Sequence, residues 1–338
     1  MNIFHLVKKI IIIFFSLIAT ILLVGILFES WSRAKAEKII PNGQFAEVDH
    51  CRIHYLKKGT GGPTVVFESA LCPEGHLQWY LIQQELSSYA TTISYDRAGI
   101  LWSERGENPK TGEQIAEELH LLLEKSNAPK PYILTGHSMG GMLIRFFVDK
   151  YPQDVAGVVL VDSQHPENQK YLSPELYKLV NQGLPVGFLK FANTFGLARL
   201  MFRDIFPPSA HYQYQNAIMP ALLHKSAAGV LEEQQQMTSI KYAASQIKSF
   251  GNIPLYVVSA TDTSRFDSLF KEEKMRAEIV TAWENMQKNL LSLSSNSQHY
   301  LVAGSSHYIT LDQPGGIVGA IKEMIFQFRR KQPLTGNR

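Results

Sequence analysis

The five residues Gly136-His137-Ser138-Met139-Gly140 constrain this chain more than any other stretch, because they join an apolar run (Pro131 to Thr135) to a helical pattern starting at Met142. A strand that turns straight into a helix with serine at the apex puts that serine in a strained backbone conformation, and only small flanking residues leave room for it. A pattern of five residues is short, so its surroundings must carry the reading. Thr64 to Glu68, Thr91 to Tyr95, Val158 to Val161, Pro254 to Val258 and Tyr300 to Val302 read as strands. Between them, Trp79 to Leu86, the spacing of Ile115, Leu119, Leu122 and Leu123, and Ile317 to Phe328 read as helices. Strands alternating with helices specify an α/β fold whose mostly parallel sheet is covered on both faces. Phe45 to Asp49 and Cys51 to Leu56 alternate in polarity and predict an antiparallel edge.

Ile10 to Phe28 is apolar except for Ser16, Thr20 and Gly25, with Lys8 and Lys9 before it and Glu29, Arg33, Lys35 and Lys38 after it. At ~1.5 Å per residue a helix of this length crosses a hydrocarbon core of about 30 Å. A cleaved signal peptide is the rival reading, since Ala34-Lys35-Ala36 has the small-x-small form. The apolar stretch is too long for one and the tripeptide lies well beyond its end. An uncleaved single-pass anchor is therefore expected in the cell membrane, with the lysines holding the N-terminus in the cytoplasm and the folded part outside it.

The 338 residues are 45% hydrophobic and 19% charged, enough for a full core beyond the anchor. The formal charge of +3 comes without a dense basic run carrying interleaved aromatics, which sets nucleic-acid binding aside. Cys51 and Cys72 stand apart from any Cys/His cluster, so buried thiols are expected and no metal site. The predicted organisation is an anchor and stalk over 1–40, a core over 41–165 and 252–332, and a helical cap over 166–251, where strand signals give way to segments rich in Leu, Phe, Met and Gln.

Four motifs in order carry a resemblance: Tyr95-Asp96-Arg97-Ala98-Gly99 after the fourth strand, Gly136 to Gly140, Tyr151-Pro152 closing the following helix, and Gly304-Ser305-Ser306-His307-Tyr308 ahead of Leu311-Asp312-Gln313-Pro314. From about residue 45 the chain resembles the α/β-hydrolase superfamily, most of all its bacterial serine hydrolases. The resemblance implies the α/β-hydrolase fold, with Ser138 as nucleophile and His307 as base. Two acids are open. Asp162 ends its strand five residues after Gly157, an interval similar to that of haloalkane dehalogenases, which place their acid after the sixth strand. Asp262 lies near the commoner place after the seventh strand, one residue out of register. Asp162 is preferred and Asp262 is the alternative. The amide of Met139 is the expected first donor of an oxyanion hole. Leu71 occupies the slot of the second, in a loop where Ser69-Ala70 replaces the usual His-Gly pair.

These residues point to a serine esterase acting on apolar or lipid-like small-molecule esters through an acyl-enzyme, with no cofactor. An aminopeptidase-type amide hydrolase would need a cap carboxylate for the substrate amine, for which Glu232 and Glu233 are available. A catalytically silent ligand-binding homologue is the reading from another class. Asp96 and Arg97 are expected to form a structural ion pair or loop clamp, and Trp79, Trp102, Phe188, Phe191 and Phe195 to be pocket lining or core. The sequence does not decide the oligomeric state.

Overall fold

The alternation of apolar runs and helices produces one eight-stranded sheet. Strands β1 (Gln44–Val48), β2 (Cys51–Lys58), β3 (Thr64–Glu68), β4 (Thr92–Tyr95), β5 (Tyr132–His137), β6 (Val155–Val161), β7 (Leu255–Ala260) and β8 (Ser297–Val302) lie in the order β1-β2-β4-β3-β5-β6-β7-β8. β2 runs antiparallel to β1 and β4, which makes the predicted edge, and the other pairs are parallel. Every residue of β3, β4 and β5 is buried, as expected of strands covered on both faces.

The computed structural model describes residues 3–183 and 185–331. Its helices are α1 (Ile3–Ala36), α2 (Tyr80–Leu86), α3 (Gly112–Lys125), α4 (Met139–Lys150), α5 (Pro174–Val180), α6 (Val186–Thr194), α7 (Leu197–Met201), α8 (Gln213–Ala244), α9 (Arg265–Leu269), α10 (Glu273–Leu290), α11 (Ile309–Asp312) and α12 (Pro314–Lys331). Two compact units divide the chain, Met1–Pro41 with Leu184–Ala227 and Asn42–Gly183 with Ala228–Arg338. The stretch 166–251, expected as a single cap, contributes to both.

Within the sheet-containing unit, Ile115, Leu119, Leu122, Met142 and Phe147 from α3 and α4 cover one face over Leu134 and Val158. Ile82, Leu86, Ile317, Ile321 and Ile325 from α2 and α12 cover the other over Phe67 and Val159. Trp79 belongs to this second layer, not to a pocket. It is fully buried and stacks on Phe67 with ring centroids 5.0 Å apart, because the turn feeding α2 faces the sheet. Cys51 and Cys72 are free and buried. No element is predicted above between Val258 and Tyr300, where α9 and α10 lie. The buried residues Ile279, Ala282, Met286 and Leu290 give α10 its apolar stripe.

Candidate active site

Ser138 sits between the last residue of β5 and the first of α4 with φ 53° and ψ −118°, a conformation that side chains with a Cβ rarely adopt. The surrounding packing holds it there. Its amide donates to the Val161 carbonyl at 3.1 Å and its carbonyl accepts from the Gln164 amide at 3.0 Å, fastening the turn to the end of β6. A Cβ on Gly140 would stand 2.3 Å from the Glu68 carbonyl oxygen. Glycine there allows the start of α4 to approach the end of β3, which puts the Met139 amide at the helix N-terminus beside the loop carrying Leu71.

Asp162 follows β6 and His307 follows β8, so both reach the sheet edge where Ser138 lies, the edge at which ligands bind in open α/β sheets. His307 Nδ1 and Asp162 Oδ2 are 2.6 Å apart. The other carboxylate oxygen accepts from the Ala260 amide at 3.2 Å and from the Trp283 indole at 3.0 Å. Arg265 stands 3.8 Å from Oδ2 and lies over the Trp283 ring. Burial pushes the Asp162 carboxyl up, but the His307 hydrogen bond and charge, with Arg265 and Trp283, outweigh it and hold the group below its ordinary 3.8. Asp162 is therefore an ionised acceptor with a fixed direction. Asp262 is turned elsewhere, since its carboxylate accepts from the Ser264 amide two residues on at 2.8 Å.

His137, next to Ser138, joins the two halves of the site. Gln78 accepts the Ala70 amide at 3.0 Å, so its NH₂ faces His137 Nδ1 at 2.8 Å and donates to it. His137 Nε2–H then donates to the His307 carbonyl at 2.8 Å. Burial, followed by the neighbouring His307, lowers His137 to about 3, which keeps it neutral and preserves this tautomer. One chain of bonds thus runs from the loop before Leu71 to the loop of His307.

The same loop is held from behind by Arg97. Its guanidinium donates to the Ser69 and Ala70 carbonyls at 2.7 Å each, to Glu68 at 2.6 Å, and to both oxygens of Glu233 at 2.7 and 2.8 Å. All three charged side chains are buried, and Tyr95 donates to the second oxygen of Glu68. Arg97 is a loop clamp, but Asp96 is not its partner. Consecutive residues leaving a strand point apart, and Asp96 receives Nδ1 of His54 and of His76 at 2.8 Å each. Glu232 pairs with Arg105.

The fold has counterparts in known proteins. The family model described as alpha/beta hydrolase fold matches residues 63–313. The chain belongs to the alpha/beta hydrolase fold family. The uncharacterized protein YqjL of Bacillus subtilis is 25% identical to this hydrolase over 268 residues, which are 79% of this chain and 85% of that one. A thermophilic esterase from Thermogutta terrifontis superposes with a TM-score of 0.61 at 20% identity, over 85% of this chain and 99% of the esterase. The haloalkane dehalogenase DatA from Agrobacterium tumefaciens superposes with a TM-score of 0.62 at 14% identity, over 85% of this chain and 97% of the other. Both structures share the fold.

Three parts of the hydrolase site lie outside the motifs. Trp283 and Arg265 come from α10 and α9, and the period of Ile279, Ala282, Met286 and Leu290 is the signal that predicts a helix there. Gln78 carries no local signal, because its partners are distant in sequence. Among the described residues, His54, His76 and Asp96 are a group with metal-ligand chemistry, their donor atoms within 4.8 Å of one another. The 2.8 Å spacings between Nδ1 and the carboxylate are those of hydrogen bonds, and a third bond comes from the His76 amide at 2.9 Å. Burial raises Asp96 but these donors overcome it and hold it well below the ordinary carboxylate range. The cluster fastens β2 and the loop after β3 to the end of β4.

Proposed function

We propose that this chain is a serine hydrolase that cleaves carboxylic esters of apolar or lipid-like substrates through an acyl-enzyme, with Ser138, His307 and Asp162 as nucleophile, base and acid. The observation that carries the reading is the 2.6 Å contact of His307 Nδ1 with buried Asp162, on the sheet edge that presents Ser138 in a strained turn. In this mechanism Asp162 keeps the Nδ1 proton in place and stabilises the imidazolium, leaving Nε2 to take the proton of Ser138 as its Oγ attacks the acyl carbon. The amides of Met139 and Leu71 receive the developing negative charge. His307 then returns the proton to the departing alcohol, and water, activated by the same imidazole, hydrolyses the acyl-serine.

Ser138 separates this chemistry from that of the haloalkane dehalogenases, whose nucleophile is an aspartate. The ester reading is favoured over the aminopeptidase reading because Glu232 and Glu233 already pair with Arg105 and Arg97. A substrate ammonium would have to displace an arginine. We read α1 as a single-pass membrane anchor with the catalytic domain outside the cytoplasm. An 18-residue window of α1 has mean hydropathy 3.1 and none of it is buried within the protein, so lipid is its natural surrounding.

A fluorophosphonate probe should label the wild type at Ser138 and leave a folded Ser138→Ala variant unlabelled, with p-nitrophenyl esters of increasing acyl length reporting turnover. A well-folded wild type inert to probe and esters, or a probe mapped to another residue, would refute the proposal.

A further inference from the structure

Helix α1 has companions. The turn between α6 and α7 packs on it at the end of its apolar stretch: a Cβ on Gly25 would lie 2.8 Å from the Phe195 carbonyl oxygen, and one on Gly196 would lie 2.9 Å from the Phe28 ring. One residue beyond Phe28, buried Glu29 receives Arg33 from its own helix at 2.8 Å and Arg199 of α7 at 2.6 and 3.1 Å. Arg199 also donates to the Ala221 carbonyl at 2.8 Å, which ties α8 to the same point. A carboxylate just past the apolar stretch is thus paired with two guanidinium groups of the protein, and α7 is held at a fixed height along α1.

That height matters because of what α6 and α7 leave uncovered. Phe188 and Phe191 are 48% and 44% exposed, and Leu197, Leu200 and Met201 are 40%, 63% and 54% exposed. Their spacings of three and four residues put each set on one helical face. We infer that this face of α6 and α7 lies in the membrane interface and binds the lipid surface, so that the unit is embedded as well as anchored. The inference rests on the reading of α1 as membrane-spanning.

Distances support lipid as the occupant. Gly25 is only ~4.5 Å of helix rise inside the last apolar residue, Phe28. The five residues of α7 extend ~7.5 Å from the turn, whereas the polar zone of a bilayer leaflet is about 5–7 Å deep. No orientation of α7 takes it far from the hydrocarbon boundary. Trp31, 62% exposed one turn further on and capped by the Lys35 ammonium at 5.4 Å, has the aromatic and cationic character of residues at that boundary.

The test is the full chain in vesicles of phosphatidylcholine and phosphatidylglycerol, carrying a nitroxide at one introduced cysteine: Phe191→Cys, Leu200→Cys, Leu17→Cys within the span, or Glu284→Cys at an exposed position of α10. Native Cys51 and Cys72 are buried. Electron paramagnetic resonance compares collision with lipid-soluble oxygen and with a water-soluble nickel chelate. The inference predicts that labels at 191, 200 and 17 favour oxygen while the label at 284 favours nickel. If 17 favours oxygen but 191 and 200 behave as 284 does, the embedded face is refuted and the anchor stands. Labels at 191 and 200 shielded from both reagents mean protein contact and also refute it. If 17 favours nickel, the membrane reading itself fails and the inference falls with it.

Discussion

Asp162→Asn is the sharpest test of the site, because the surroundings of Asp162 dictate how the new amide must sit. Oδ1 accepts two N–H groups, from Ala260 and Trp283, and neither group can do anything but donate. Asparagine keeps both bonds only by leaving its oxygen there, which turns its NH₂ toward His307 Nδ1. Nδ1 must then be unprotonated, and the imidazole proton moves to Nε2, the atom required to take the proton of Ser138. The flipped amide would leave two buried donors unsatisfied, at about 1–3 kcal/mol each. A bias of ~2–6 kcal/mol toward the wrong tautomer corresponds to roughly 30-fold to 10⁴-fold. The kcat/KM for a p-nitrophenyl ester should therefore fall toward the ~10⁴-fold loss known for the equivalent change in a serine protease, with thermal unfolding measured alongside. Adding Trp283→Phe removes one of the two donors, so the double variant should recover about tenfold. Asp262→Asn should stay within about twofold of wild type, as a surface substitution does. An Asp162→Asn enzyme within tenfold of wild type, or a double variant slower than the single, would refute the argument.

Arg97→Met removes the cation shared by two buried carboxylates and should cost about 3–5 kcal/mol of stability, read from denaturant unfolding. Adding Glu233→Gln should restore part of it, and an unchanged midpoint in the single variant would show that the clamp contributes nothing. His137 supplies a pH dependence. Burial and His307 lower it to about 3 against an ordinary 6.5, so the folded chain binds fewer protons than the unfolded one. Its contribution is present above pH 6.5 and is lost as pH falls from there toward 3, by at most about 1.4 kcal/mol per unit. His137→Gln should flatten the stability curve over that interval, and curves that stay parallel to wild type would contradict the neutral bridge.

What could be read from the sequence is what depends on neighbours along the chain. The strands β3, β5 and β6 announce themselves as apolar runs, and the turn at Ser138 as a strand, a serine between small residues and a helix. The interval from Gly157 to Asp162 points to the carboxylate that the fold brings to His307, because strand register converts directly into position at the sheet edge. Contacts across the fold are invisible in such patterns. Nothing near Gln78 says that it will meet His137, and nothing near Arg97 says that Glu68 and Glu233, rather than Asp96, will be its partners. Trp79 shows an ambiguity of another kind, since an aromatic residue beside a loop reads equally as pocket lining or core until the sheet is seen to cover it.

The clamp at Arg97 also governs the order in which the site can be completed. The loop carrying Leu71 lies early in the chain, yet the guanidinium that holds its carbonyls lacks half of its counter-charge until Glu233 arrives, and His307 comes later still. A nascent chain emerging from its N-terminus displays the Ser138 turn long before the remainder can close around it. A chain truncated between Ser138 and Glu233 has the serine turn but lacks the second carboxylate of the clamp, strands β7 and β8, and His307.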